Sequence, residues 1–437
     1  MDELKTKSVN PWKWVPSLYF AEGMPYILVM TVSVVMYKRL GLSNTDIAFY
    51  TSWLYLPWVI KPFWSPLVDL LKSKRWWIVI MQLMVGAGLA GVAFTLPTSF
   101  FLKGTLAFFW LLAFSSATHD IAADGFYMMG LNENQQTFFV GIRTTFYRIA
   151  MITGQGVLVI FAGYLENLSY PQIAAGNENT NNISMAWAIT FIFLALLFLA
   201  FSLYHKFILP RPSEDVLTEN VDFKSVMAGF RETTVTFFNK KGIWTIIGFL
   251  LIYRLGEAQL LKMASPFLLD GVDKGGLGLT TSEVGLAYGT FGLIALTIGG
   301  LLGGWLGSVY GLKRMLWYFV FIMNVPNLVF VYLSYAQPSN FWMICGAVVF
   351  EQLGYGFGFT AYTLFMLYTS AGNHKTAHYA FCTGIMALGM MLPGMAAGWL
   401  ADLWGYHPFF VWCMVCMIPG FIFAKLIRIE KNFGIRS

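Results

Sequence analysis

The chain is a succession of apolar runs, each close to the roughly 20 residues that a helix needs to cross a hydrocarbon core. The runs fall near 14–37, 46–67, 76–97, 104–130, 138–165, 185–208, 242–269, 283–308, 314–335, 340–369, 376–400 and 406–428. Only 11% of the 437 residues are charged and 57% are hydrophobic, against about 25% charged in soluble domains. Such a chain cannot cover a water-facing surface, so lipid is its solvent. The expectation is an all-α membrane protein with twelve spans and short connections, which leaves no room for a large soluble catalytic domain.

The net charge of +6 is a matter of sidedness and does not imply nucleic acid. With both termini cytoplasmic, 19 of the 28 Lys and Arg fall on cytoplasmic segments and only Lys38, Arg39, Lys103 and Lys274 on external ones. That bias sets the orientation. The longest polar stretch between spans, 209–241, reads as a cytoplasmic linker between an N-terminal six-helix half, 1–208, and a C-terminal half, 242–437.

The two halves repeat each other. Leu42-Ser-Asn-Thr-Asp-Ile-Ala opens the second run and Leu279-Thr-Thr-Ser-Glu-Val-Gly opens the eighth. In each, a hydroxyl residue (Ser43, Thr280) precedes an acid three positions later (Asp46, Glu283), the pattern that caps a helix start. The fifth and eleventh runs end alike, with Ala162-Gly-Tyr-Leu and Ala397-Gly-Trp-Leu. Repeats at nearly one offset indicate a duplicated six-helix unit, as in secondary transporters.

Several motifs argue for packing. Gly299, Gly303 and Gly307 recur every four residues, which lets helix backbones approach closely, and Gly354, Gly356 and Gly358 lie within a span. Cys345, Cys382, Cys413 and Cys416 all sit in apolar surroundings, where a thiol is inert. There is no Walker sequence, no metal-ligand spacing and no nucleophile–base pair, so neither ATP chemistry, a metal nor an enzyme is expected. MDELKTKSVN lacks the features of a cleaved secretory signal.

Ionisable residues inside apolar runs carry the most information, because an uncompensated charge at mid-bilayer costs several kcal/mol. They are Glu22, Lys61, His119, Asp120, Asp124, Arg143, Arg148, Arg254, Glu257, Lys262 and Glu351. Equal distances from a hairpin centre near residue 134 match Asp124 with Arg143 and Asp120 with Arg148. Glu22 matches Lys61 in the same way. Glu257 has Arg254 and Lys262 near it, whereas Glu351 has no base nearby in sequence. A carboxylate without a base takes up a proton readily at low dielectric, so Glu351 and Glu257 are the leading proton-coupling candidates, followed by Asp120 and Asp124. The surplus of buried bases points to an anionic substrate, held by a set drawn from Glu22, Lys61, His119, Arg143, Arg148, Arg254 and Lys262.

Ser65-Pro-Leu-Val-Asp69, followed by Lys72, Lys74 and Arg75, resembles the signature loop of the major facilitator superfamily, with Ser65 in place of the signature glycine. It assigns Asp69 and Arg75 to gating. Phe20-Ala-Glu-Gly-Met-Pro, Trp64-Ser-Pro-Leu-Val-Asp69, Ser116-Ala-Thr-His-Asp-Ile-Ala-Ala-Asp124, Tyr147-Arg-Ile-Ala, Tyr253-Arg-Leu-Gly-Glu257, Thr376-Ala-His-Tyr-Ala and Gly398-Trp-Leu-Ala-Asp402 together resemble the AmpG-type muropeptide permeases of that superfamily. His119 stands where that family has glutamine. The resemblance implies the major facilitator fold and a monomer in the bacterial inner membrane. It also implies proton-driven uptake of anhydromuropeptides for cell-wall recycling, with Tyr147 added to the substrate-binding set. No cofactor beyond the proton gradient is implied. Two alternatives stay open: a carrier of another amphiphilic organic anion, such as an acyl-CoA-like molecule, and a membrane sensor that moves nothing.

Overall fold

A computed structural model describes residues 9–173, 178–212, 215, 223–372, 374–430 and 433. Among these residues the secondary structure is helical throughout. Ten helices are long and apolar enough to cross a membrane: Pro11–Arg39, Lys74–Thr95, Phe101–Gly130, Asn134–Leu165, Glu178–Ile208, Ile243–Leu269, Thr281–Tyr310, Leu312–Ala336, Lys375–Trp404 and Tyr406–Leu426. Two expected spans lie outside these ten. The run 46–67 is split between Asn44–Trp53 and Leu56–Leu71, the second containing Pro62 and Pro66. The run 340–369 is one 30-residue helix, Phe341–Ser370, whose hydropathy is diluted by Glu351, Gln352 and its glycines.

Solvent and core are inverted relative to a water-soluble protein. Phe94, Trp244, Leu301 and Ile418 point outward and are more than half exposed, while Glu22, Gln82, His119, Arg254, Glu257 and Glu351 are buried. Apolar surface on this scale needs hydrocarbon around it. The chain is therefore a multi-pass membrane protein.

The chain forms two compact units, one of Met1–Val29, Ile60–Gly154 and Tyr164–Phe230, the other of Met30–Val59, Gln155–Gly163 and Arg231–Ser437. In the first, Trp14, Phe126, Tyr19 and Tyr127 form a packed aromatic cluster. Glycines bring its helices together: a Cβ at Gly91 would lie 2.3 Å from the Phe108 ring, and one at Gly23 would lie 2.9 Å from the Tyr147 carbonyl oxygen. Ser73 caps Lys74–Thr95 by accepting from the Trp76 N–H at 3.2 Å. Asp215 adds a carboxylate there, accepting from the Lys74 and Arg75 N–H groups at 2.6 and 3.0 Å, where a helix start favours negative charge.

In the second unit the two glycine motifs are close-packing devices. A Cβ at Gly299 would lie 2.1 Å from the Leu353 carbonyl oxygen, and one at Gly303 2.7 Å from that of Phe357. The Gly354, Gly356 and Gly358 run alternates its service. Gly356 faces Leu296, whereas Gly354 and Gly358, one turn apart, face Ile322 and Met323 of Leu312–Ala336. All four cysteines are free thiols in buried positions. The segment read as a linker carries a helix, Phe223–Phe238. Beyond it Lys240 donates to the carbonyl oxygens of Thr369 and Ala371 at 2.5 and 3.1 Å, a cation placed at the free acceptors of a helix end.

The sequence repeats explain each other in three dimensions. Ser43 accepts from the Asp46 N–H at 3.0 Å, and Thr280 with Glu283 forms a full reciprocal capping box. Gly163, from the first copy of the Ala-Gly-aromatic-Leu motif, receives the helix that Thr280 caps: a Cβ there would lie 2.5 Å from the Ser282 nitrogen. Gly398, from the second copy, receives the helix that Ser43 caps, its Cβ position 1.9 Å from the Asn44 carbonyl oxygen. Asp402, one turn further on, accepts from the Thr45 N–H and hydroxyl at 2.8 and 2.7 Å. Overpacking of this kind costs typically 1–3 kcal/mol. Gly398→Ala is therefore expected to lower the thermal midpoint of the detergent-solubilised protein, and an unchanged midpoint would show that the contact has slack.

Candidate functional sites in the two units

The first unit gathers charge around Arg143. Its Nη2 lies 2.9 Å from Asp124 Oδ1, and its guanidinium lies against the rings of Tyr19 and Tyr127, 4.6 and 5.0 Å from their centroids. The Tyr19 hydroxyl donates to the same Asp124 oxygen at 3.4 Å. One of the two expected rungs is thus present. The other is not formed as expected: Asp120 faces Lys61 at 3.5 Å, and Arg148 Nη1 points to the Met151 sulfur at 3.7 Å. The reason is azimuthal. Asp120 and Asp124 are four apart and share a helix face, but five residues turn an α-helix by about 140°, so Arg143 and Arg148 cannot both face that edge. Lys61 is accordingly taken by Asp120 instead of Glu22. Glu22 is buried, and its Oε2 has no hydrogen-bond partner among the described residues. Tyr147 lies against Gly23, with its ring 3.2 Å from the glycine's Cβ position.

His119 belongs to a different neighbourhood. Its Nε2 is 3.0 Å from Gln82 Nε2, Gln82 Oε1 is 2.9 Å from His205 Nδ1, and His205 Nε2 is 2.9 Å from the Ser17 hydroxyl. The sequence reading missed this chain. A signal was present, since Gln82 is the one amide in the apolar run 76–97. Of the gating pair, the Asp69 side chain lies outside the described residues. Arg75 binds backbone, with Nε donating to the Leu209 carbonyl at 3.3 Å and Nη2 donating to that of Lys206.

The second unit holds a drier constellation. The helix that begins at Ile243 breaks at Arg254 and resumes as Leu255–Leu269. The break lets Arg254 turn back onto Glu257 as a fork: Nε to Oε2 at 3.0 Å and Nη2 to Oε1 at 2.7 Å. Arg254 Nη2 is also 2.7 Å from the Tyr355 hydroxyl, and the guanidinium lies 5.3 and 5.1 Å from the rings of Tyr355 and Phe359. Lys262, also near Glu257 in sequence, is engaged elsewhere: its ammonium donates to Thr51 Oγ1 at 2.9 Å and lies 5.6 Å from the Tyr55 ring.

Glu351 is 1% exposed. Its Oε2 accepts from Gln352 Nε2 at 2.9 Å, and its Oε1 has no hydrogen-bond partner. Among the described residues no Lys, Arg or His forms an ion pair with it. No group of three or more His, Cys, Asp or Glu able to hold a metal occurs among the described residues. The two units therefore offer paired and unpaired charges, aromatic faces and hydroxyls, which suit binding and carriage of a polar solute.

Comparison with known proteins agrees with that chemistry. A family model described as the BT1 family matches residues 22–227. The chain is 24% identical over 423 residues to the anhydromuropeptide permease of Escherichia coli (strain K12), covering 94% of this chain and 78% of that protein. It is 26% identical to the putative transporter AmpG 4 of Rickettsia felis (strain ATCC VR-1525 / URRWXCal2), covering 95% and 96%. In fold it is similar to the crystal structure of a D-xylose-proton symporter, with a TM-score of 0.71 at 12% identity, covering 97% and 98%. The resemblance read from short motifs thus extends over nearly the whole chain. The fold is that of the solved symporter, and in sequence the chain is similar to the AmpG-type permeases over nearly its whole length.

Proposed function

We propose that this chain imports anhydromuropeptides across a bacterial inner membrane by proton symport. The observation that carries the substrate is the similarity to an anhydromuropeptide permease over 94% of the chain. Coupling is supported by Glu351, a buried carboxylate with one amide partner and one oxygen without any. In this reading twelve segments cross the bilayer, with Asn44–Trp53 and Leu56–Leu71 together making the second and Phe341–Ser370 the tenth, and both termini are cytoplasmic. The protein works as a monomer, needs no cofactor beyond the proton gradient and does no covalent chemistry. Glu351 carries the proton, with Glu257, Asp120 and Asp124 as further carboxylates on its route. The substrate is held from Glu22, Lys61, His119, Arg143, Tyr147, Arg148, Arg254 and Lys262, and Asp69 and Arg75 belong to the gate.

Proteoliposomes separate the readings. Purified protein facing an imposed inward proton gradient is expected to accumulate labelled N-acetylglucosamine–anhydromuramyl peptide above the outside concentration. Collapse of the gradient with a protonophore should reduce this to equilibration. Binding with no uptake under either condition would identify a sensor and overturn the transport reading. Accumulation that ignores the protonophore would overturn proton coupling alone.

A further inference from the structure

Lys262 is 7% exposed, and among the described residues no carboxylate forms an ion pair with it. A buried ammonium without a counter-charge is costly. Its one protein hydrogen bond goes to the Thr51 hydroxyl, which in turn donates to the Ile47 carbonyl at 2.6 Å. Two of its three N–H donors have no acceptor among the described residues.

The next residue, Ser52, is fully buried, and its hydroxyl has no hydrogen-bond partner among the described residues. Gly394 brings the two together: its Cβ position lies 2.8 Å from Ser52 Oγ and 3.6 Å from Lys262 Cε. A Cβ at Gly394 would press on Ser52 Oγ, so only a glycine lets this helix backbone come so close to both polar groups. A glycine, a bare hydroxyl and an unneutralised ammonium thus converge within one compact unit, with the Tyr55 ring as one wall.

We infer that Lys262, Thr51 and Ser52 form a binding subsite for a carboxylate of the transported solute, with Gly394 allowing the close approach that brings the two unsatisfied groups together. One carboxylate oxygen takes the free ammonium hydrogens and the other accepts from Ser52 Oγ. The ion pair then neutralises Lys262, and both unsatisfied groups acquire partners in a single event. The inference rests on the transport reading, because a site this enclosed fills only when the helices around it part during a cycle. It goes further by naming the chemical group recognised and the residues that recognise it.

The test uses purified protein in detergent and measures ligand-induced thermal stabilisation. The probes are carboxylates paired with their amides: an anhydromuropeptide, a short peptide and a sugar acid. At least one carboxylate is expected to bind more tightly than its amide by about tenfold or more, the size of a charge-assisted hydrogen bond. Lys262→Met should bring that ratio close to one, whereas Lys262→Arg should keep part of it. Ser52→Ala removes a hydroxyl with no protein partner, so it should leave the unliganded midpoint unchanged and weaken the carboxylate by about fivefold. An acid-over-amide preference that survives in Lys262→Met overturns the subsite, and so does a wild-type protein that answers to no carboxylate. A preference lost in Lys262→Met but shown only by a carboxylate other than the muropeptide upholds the subsite and overturns the proposed substrate.

Discussion

Glu351→Gln is expected to abolish gradient-driven accumulation while leaving counterflow exchange measurable. The substitution keeps the shape and preserves an oxygen to accept from Gln352, whose Nε2 holds Glu351 Oε2 at 2.9 Å. It replaces the other oxygen, which has no hydrogen-bond partner, with an amide that neither gains nor loses a proton. Folding should therefore survive and coupling should not. Exchange of labelled for unlabelled substrate across the vesicle needs binding and reorientation but no net proton movement. Accumulation by the variant to the wild-type level would show that the coupling proton rides elsewhere, on Glu257, Asp120 or Asp124.

The second large effect is expected at the Arg254–Glu257 fork. Both side chains are almost wholly buried, at 7% and 1% exposure, so removal of either strands the other without water. A stranded buried charge costs about 3–5 kcal/mol. Arg254→Gln and Glu257→Gln should each collapse the folded yield or lower the thermal midpoint steeply. The double variant should regain part of the loss, since no charge is then left alone. Strictly additive losses would mean that each residue depends on other partners, with the Tyr355 hydroxyl first among them for Arg254. The same pair of substitutions at Asp124 and Arg143 should cost less, because those side chains are 45% and 29% exposed and so less enclosed by the protein.

These contrasts show where sequence reasoning reaches and where it stops. Ten of the twelve span positions, the packing glycines and the capped helix starts were legible because each follows from local chemistry: hydropathy, a missing Cβ, a hydroxyl three residues before an acid. The Asp124–Arg143 contact was legible because antiparallel hairpins place equal offsets at equal height. Height is only one of two coordinates, however, and the azimuth of Arg148 turned it away from Asp120. The Lys61 pairing failed for a further reason: the run 46–67 breaks between Trp53 and Leu56, so counting residues no longer measures depth. Contacts such as Gln82 with His205, or Lys262 with Thr51, join residues 123 and 211 positions apart, and no local rule could have paired them.

The crosswise docking of Gly163 on the Thr280 cap and Gly398 on the Ser43 cap says something about how such a chain is assembled. When patch i of one copy meets patch j of another, and j meets i, the contact is that of an isologous dimer of identical subunits. Here the two copies are joined in one polypeptide, yet the reciprocal contact is intact. Each copy of the two motifs presents one bare glycine notch and one capped helix start, a socket and a plug that meet their counterparts in the other copy. The two glycine contacts are then two equivalent points of attachment within one compact unit. Filling one notch would weaken one point and leave its symmetry mate closed.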